Sequence, residues 1–571
     1  MRALLLLLLL VVSLPAHALQ PWRGGAVATQ HALATEAAVA MLEKGGSAAD
    51  AAVAAAFVLA VAAPYHSGLG GGGFAVVHEV SGKGTWALDF REVAPLAATR
   101  DMYLRDGKAV PALSRDGGLA VAVPGAVAGY LALHERAGKL SLKQVMAPAL
   151  RVANEGFHVT PNYLRMASRR EACLAEYGAG RVFLADDGKG GRKLPEVSAR
   201  IRQPELAHTL HAISEGGAAS FYTGRIARQL VEGVRKAGGI LSMQDLVRYR
   251  VREVTPLMGT FRGHRIATFP PPSAGGVTLL QTLGVLERAF PEGTVRKSPE
   301  LLHVYIEALR RAHLDRLRYM GDPAFNDLPI TRLLSDAHLS AMLADIDRKA
   351  ATRSEALIAD VPGLKGLPPD TGKKNTSHLS VVDREGNAVV LTTTVNTWFG
   401  SCVMPEGTGV VMNNEMNDFT TQPWAPNAFG LVTGAHNAIE PGKIPLSSMT
   451  PTLVFQKDAP TQVLLALGSP GGSTIPTTVL QTLLAVVDHR MDVARAVSEG
   501  RLHHQLLPDE VRVDQFGLEP ATFQALEALG HRMVQVDGAW GDAEAVYVDP
   551  ASGLRTAASD PRGEGAAGGH H

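Results

Sequence analysis

A run of chain rich in proline and glycine, residues 359–375, passes straight into Thr376 and then into β-branched strand patterns. No other feature of the 571 residues constrains the fold as strongly. The run holds three prolines and three glycines without periodicity, so it reads as an exposed, cleavable segment. The residues after Thr376 are strand-like: Leu379-Ser380-Val381-Val382, a turn at Arg384-Glu385-Gly386-Asn387, then Val389-Val390-Leu391 and Thr392-Thr393-Thr394-Val395. A second strand group falls at 453–455 and 463–467. The chain therefore divides near residue 375 into a larger helix-rich part and a smaller strand-rich part. The second part lacks helices to cover its sheets. The two parts are expected to fold as one body, with sheets sandwiched between helical layers.

The first part opens with an Ala-dense helical pair. One helix spans 36–43 and ends at Gly45-Gly46, and Ser47 caps a second over 48–63, stopped by Pro64. The glycine run from Gly68 to Gly73 follows a helix and opens a strand, the reverse of a dinucleotide loop. Close backbone packing explains it better. Residues 140–350 read mostly as helix, for example at 142–154, 203–215, 224–237 and 298–319. No internal repeat is present.

Lys and Arg balance Asp and Glu at 55 each, so charge gives no reason to expect nucleic acid or an anionic membrane as partner. The N-terminus reads as a secretory signal. Arg2 gives the basic flank, residues 4–14 an apolar run too short to span a bilayer unaided, and Ala16-His17-Ala18 a small-x-small cleavage pattern. Maturation is expected after Ala18, giving an exported, periplasmic or secreted protein without a stable membrane span. The two cysteines, Cys173 and Cys402, have no metal-type spacing, and the sequence leaves their pairing open. His503-His504 reads as structural, and Gly568 to His571 as a frayed tail.

A threonine hydroxyl is a poor nucleophile at neutral pH, but a free α-amine on the same residue can serve as its base. That amine has a pKa near 8 and exists only if the chain is cut before the threonine. Other motifs accompany Thr376. Gly471-Gly472 follows a strand and precedes a helix over 478–487, so its adjacent N–H groups can meet an anionic oxygen. Ser447-Ser448 offers two hydroxyls. Asn413-Asn414-Glu415-Met416-Asn417-Asp418-Phe419 reads, alone, as a solvated loop; it lacks the EF-hand spacing.

Thr376-Ser377-His378-Leu379-Ser380-Val381-Val382-Asp383, together with these motifs, resembles the γ-glutamyltransferases (γ-glutamyltranspeptidases) of the N-terminal-nucleophile hydrolases. Asp89-Phe90-Arg91-Glu92, Arg501-Leu502-His503-His504-Gln505 and Asp560-Pro561-Arg562 extend the likeness over the mature chain. The resemblance implies an α+β, four-layer αββα sandwich built jointly by two self-cleaved subunits. These are residues 19–375 and 376–571, after removal of the signal at 1–18. It implies cleavage between Asn375 and Thr376, with Thr376 as nucleophile. Thr394 would hydrogen-bond the nucleophile, and Gly471 and Gly472 would supply the oxyanion amides. Arg91, helped by Ser447 and Ser448, would hold the substrate α-carboxylate, while Asn396, Glu415 and Asp418 would hold its α-ammonium. A planar guanidinium suits the carboxylate end of a zwitterion.

The implied activity transfers the γ-glutamyl group of glutathione and related compounds to water, amino acids or dipeptides, with no metal or organic cofactor. Glu415 stands where many bacterial relatives have Gln, Phe429 where some have a lid-loop Tyr, and Ser377 where a second Thr is common. Two other readings exist: an acylase of the same fold acting on glutaryl or cephalosporin-type side chains, and an unprocessed γ-glutamyl peptide-binding protein. Two acids would repel a dicarboxylic acyl group, which favours the γ-glutamyl reading.

Overall fold

The structure is a computed structural model that describes residues 21–361 and 376–571, apart from Lys83, Pro423, Ala425, Pro426, Ala428, Phe429, Phe516 and 537–539. The expected signal segment, Asn375 and Phe429 lie outside the described residues. Two large sheets organise the chain. Their strands are β1 (Ala26–Thr29), β2 (Gly72–Glu79), β3 (Gly84–Asp89), β4 (Arg252–Val254), β5 (Leu257–Phe261), β6 (His264–Thr268), β7 (Ser377–Val382), β8 (Ala388–Thr394), β9 (Thr452–Phe455), β10 (Val463–Gly468), β11 (Glu544–Val548), β12 (Arg555–Ser559) and β13 (Ala566–Gly569). The helices that cover them include α1 (Ala32–Glu43), α2 (Ala48–Ala62), α3 (Ala126–Ala137), α4 (Gly275–Ala289), α5 (Pro299–Tyr319), α6 (Ile475–Val487) and α7 (Val493–Ser498).

The seven-stranded sheet runs β4-β3-β2-β8-β7-β1-β13, and the six-stranded sheet runs β5-β6-β9-β10-β11-β12. Strand pairing is antiparallel throughout both. β1, β7 and β8 pack against β10, β11 and β12, while α1, α2 and α3 lie on the first sheet and α4, α6 and α7 on the second. The period-2 alternation of β7 and β8 divides their side chains between two cores. Leu379, Val381, Val389 and Leu391 join the core under α1 and α2, whereas Val382, Ala388 and Val390 join the core between the sheets. Every residue of α2 is buried, and Ser47 and Asp50 form a capping box at its start.

One expectation holds with an addition, and two change. The stretch 140–350 is mostly helical as expected, and β4, β5 and β6 also fall inside it. Those strands are three to five residues long, and β6 owes its burial to β9 from the other part of the chain. The C-terminal residues do not fray: β13 pairs with β1 across Ala26↔Gly569 and Thr29↔Ala566. Backbone pairing needs no side chain, and a Cβ on Gly569 would meet the Trp22 ring at 2.5 Å. Finally, the strand after the glycine run starts inside that run, at Gly72.

The close packing expected of this run is present, and it concerns the neighbourhood of Thr376 directly. Gly72 stands opposite Thr394 in the β2–β8 ladder. A Cβ on Gly71 would lie 1.9 Å from the Thr394 carbonyl oxygen, and one on Gly73 would lie 2.2 Å from that of Thr392. Gly71→Ala should therefore cost about 1–3 kcal/mol of stability by forcing β8 outward, measured by denaturant unfolding. An unchanged unfolding midpoint would contradict this packing.

Candidate active site

Thr376 directly precedes β7, is 3% exposed, and donates from Oγ1 to Thr394 Oγ1 at 3.4 Å. Thr394 ends β8, so the β7–β8 register, with Ser377 opposite Thr393, brings the two hydroxyls together. Thr394 Oγ1 also accepts from the Asn396 N–H at 2.8 Å. Asn396 sits at φ 76°, a left-handed conformation that asparagine tolerates better than most residues. Its side-chain Nδ2 donates to the Asn414 carbonyl at 2.9 Å. His378, two residues after Thr376, is bonded to Thr392 Oγ1 at 2.8 Å and Ser380 Oγ at 3.1 Å, and burial pushes its pKa down to about 3. It is thus committed within the sheet as a neutral ring.

Arg91 follows β3 and comes from the first part of the chain. Burial works against its charge, but Glu415, Asp418 and Glu92 outweigh that and raise the guanidinium. It bonds Asp418 Oδ2 at 2.7 Å, ion-pairs with Glu415, and lies 3.9 Å from Glu92 Oε2. Burial raises the Glu415 carboxyl well above the usual carboxylate range, with Arg91 opposing and Glu92 and Asp418 adding to the rise. Burial also raises Asp418, again against Arg91. Three acids crowd one guanidinium in a dry site, so their titrations are linked to one another.

The amide-rich stretch around these acids is not the solvated loop its composition suggests. Asn413 donates to Gly70 O at 2.7 Å and Ala122 O at 2.9 Å, Asn414 to Arg115 O at 2.7 Å, and Asn417 to Ser114 Oγ at 2.7 Å. All three asparagines are buried. They fasten Glu415 and Asp418 to the first part of the chain, which is why the acids reach Arg91.

Gly471 and Gly472 lie between β10 and α6, at φ 134° and 57°. The Gly471 carbonyl accepts from Thr474 N at 3.2 Å and Thr474 Oγ1 at 3.0 Å, and a Cβ at Gly471 would meet that hydroxyl at 2.6 Å. Left-handed glycines at a helix start can turn successive N–H groups toward an anion. Ser447 is held by its N–H to Pro272 O at 2.9 Å, and its Oγ accepts from Met449 N at 3.1 Å.

Arg91, Thr376, Thr394, Asn396, Glu415, Asp418, Ser447, Ser448 and Gly472 line one pocket. Gly471, the chain neighbour of Gly472, does not line it. Among the described residues, no group of three His, Cys, Asp or Glu side chains could hold a metal, and no helix is long and apolar enough to cross a membrane.

Comparison with known proteins places the chain in a family. The profile of one family, described as Gamma-glutamyltranspeptidase, matches residues 34–570. The chain belongs to the γ-glutamyltranspeptidase family. It is similar to the glutathione hydrolase proenzyme of Pseudomonas sp. (strain A14), at 39% identity over 89% of this chain and 86% of that protein. Among solved structures it resembles the cephalosporin acylase of Bacillus halodurans, with TM-score 0.82 and 26% identity over 99% of this chain and 100% of that one. It also resembles the γ-glutamyltranspeptidase of Helicobacter pylori, with TM-score 0.53 and 36% identity over 56% of this chain and 91% of that one. The fold is accordingly of the mixed helix-and-sheet kind seen in these hydrolases.

Two pocket residues, Asn427 and Arg316, and Glu92 beside Arg91 escape a reading of the sequence as site residues. Asn427 donates from Nδ2 to Asp418 Oδ1 at 3.3 Å, and its Oδ1 accepts from Leu431 N at 3.1 Å, which ties Asn427 and Leu431 to the acid. Arg316, on α5, lines the pocket with its Nε lacking a hydrogen-bond partner among the described residues. Burial lowers its pKa to about 10, with Asp418 opposing. An arginine inside a helical pattern carries no signal of inward placement. Glu92 touches Arg91 from behind, and only its place in the Asp89-Phe90-Arg91-Glu92 motif hinted at a role.

Burial raises the Glu92 carboxyl from 4.5 to about 7 against the pull of Arg91. The folded value exceeds the unfolded one. Its contribution to stability is therefore full below about pH 4.5 and is lost as pH rises through about 7, an effect of at most about 3 kcal/mol. Glu92→Gln should flatten the decline of thermal stability between pH 5 and 8, and a slope equal to that of the wild type would contradict the assignment.

Proposed function

We propose that the chain is exported as one polypeptide, cuts itself at the Asn375–Thr376 bond, and works as a γ-glutamyltransferase with Thr376 as its N-terminal nucleophile. The observation that carries this reading is the joint lining of one pocket by the Thr376 hydroxyl, the Arg91 guanidinium and the Asp418 and Glu415 carboxyls. A γ-glutamyl group ends in a zwitterion, and these charges suit both of its ends. The packed order of helices, sheet, sheet and helices fits a four-layer αββα sandwich. The word proenzyme in the name of the Pseudomonas relative supports processing. So does the fact that the Helicobacter pylori chain is matched over 91% of its own length by only 56% of this one, as expected of a separate subunit.

In self-cleavage Thr376 Oγ1 attacks the Asn375 carbonyl carbon, and the acyl group moves from nitrogen to oxygen. Water then hydrolyses the ester, leaving a carboxylate on Asn375 and a free amine and hydroxyl on Thr376. The subunits 19–375 and 376–571 stay together because β7 and β8 lie between β1 and β2 of the larger one. In turnover the Thr376 amine takes the hydroxyl proton as Oγ1 attacks the γ-carbonyl. The Gly471 and Gly472 N–H groups receive the oxyanion, Thr394 orients the hydroxyl, and the proton passes to the departing amine. Water or an acceptor amine then releases the γ-glutamyl group, and no cofactor enters any step. Arg91 with Ser447 and Ser448 holds the α-carboxylate, while Asn396, Glu415 and Asp418 hold the α-ammonium. Arg91 exchanges part of its pairing with the acids for the substrate carboxylate, and the ammonium replaces the charge they lose.

The likeness to a cephalosporin acylase favours a second reading, removal of a glutaryl-type acyl group that has no ammonium. A γ-glutamyl anilide and a glutaryl anilide separate the two. The first should be cleaved with kcat/KM about 100-fold higher, the worth of one charge-assisted contact made in the transition state. Asp418→Asn should narrow that ratio, and Thr376→Ala should abolish both activities. Faster cleavage of the glutaryl compound would overturn the γ-glutamyl assignment.

A further inference from the structure

Cys173 and Cys402 form a disulfide, with their Cα atoms 5.9 Å apart and 229 residues between them in sequence. Cys173 lies in the short helix Glu171–Glu176, and Cys402 follows the β8 end that carries Thr394 and Asn396. The cysteines therefore fall on opposite sides of Thr376. They are the two cysteines of the chain, so no other disulfide can form within it.

The surroundings fit a built junction. Arg170 Nη2 is 3.1 Å from both sulfurs and donates to Gly400 O at 2.8 Å, its Nε donates to Trp398 O at 3.0 Å, and its Nη1 pairs with Asp116 at 2.6 Å. Backbone bonds add to this on either side: Ala179 N donates to Cys402 O at 3.3 Å, Met404 N to Tyr177 O at 3.3 Å, and Gly117 N to Ser401 O at 3.0 Å. The segment so held has Asn396, Phe399 and Cys402 at positive φ, a conformation that costs a non-glycine residue free energy and persists because its surroundings impose it.

We infer that Cys173–Cys402 is a covalent cross-link between the two subunits, joining the large chain to the small one after the peptide bond before Thr376 is gone. This rests on the self-cleavage proposed above. Once that bond is hydrolysed no peptide link remains, and the disulfide becomes the sole covalent connection. It keeps the partner strands at a high effective concentration, so that a lost contact re-forms within one molecule. It also fixes the left-handed segment that carries Asn396 to the subunit that carries Arg91. Exported proteins meet the oxidising conditions in which such a bond persists.

The test is a denaturing gel of purified wild-type protein, alkylated before unfolding and run with and without dithiothreitol, with intact masses taken of each band. Dithiothreitol supplies two electrons and two protons, leaving two thiols and its own cyclic disulfide. The expected result is one band without reductant, with the summed mass of both chains, and two bands with it. Cys402→Ser and, independently, Cys173→Ser should each give two bands without reductant. Two bands from unreduced wild type would overturn the cross-link while leaving self-cleavage standing. One band under both conditions, with the mass of an uncut chain, would overturn self-cleavage and the cross-link together.

Discussion

A close approach of two backbones sets the geometry of the whole site. Gly71 and Gly73 lie where β8 is too near to admit a Cβ, a Cβ on Gly72 between them would meet Glu92 and Phe90, and the β2–β8 register places Thr394 opposite Gly72. β7 pairs with β8 on one edge and with β1 on the other, so Thr376 directly precedes a central strand flanked by both parts of the chain. A cut before that strand removes one peptide bond and leaves the flanking ladders in place. The same arrangement ties the two parts into one body. β7 and β8 need β1 and β2 on either side, and β6 needs β9.

On this frame the electrostatics come from burial. Arg91 is 2% exposed, Glu92 0% and Glu415 1%, so none of their charges is supported by water. The guanidinium is stable only because carboxyls surround it, and the carboxyls ionise only because the guanidinium is there. Arg316 adds a second cation beside Asp418. A substrate carrying both signs of charge can replace these internal pairings without leaving a bare charge, whereas a substrate with one sign cannot. On the proposed reading, selectivity for a zwitterion follows from the burial itself.

Much of the site was legible in the sequence. The linker running into Thr376, the Gly471-Gly472 turn and the Ser447-Ser448 pair stand out as local patterns, but each alone reads as structural, and only the resemblance gave them roles. Glu415 and Asp418 were legible only through resemblance, since their stretch has the composition of a solvated loop and is buried by amide contacts to residues about 300 positions away, as between Asn417 and Ser114. Arg316 and the interior of α5 were not legible. Glu307, Arg310, Arg311 and Arg316 are all buried in one helix, where charge ordinarily marks a wet face. Their partners, among them Asp509, Asp345 and His504, come from distant segments. Short strands such as β4 escaped for a related reason: three residues carry too little periodicity to compete with the helices around them.

The central claim is that Thr376 becomes the start of a chain. N-terminal sequencing by mass spectrometry of the purified, reduced protein tests it most directly. The expected product is a smaller chain beginning Thr376-Ser377-His378 with a free α-amine. A peptide running intact across residues 375 and 376 in fully active enzyme would refute it.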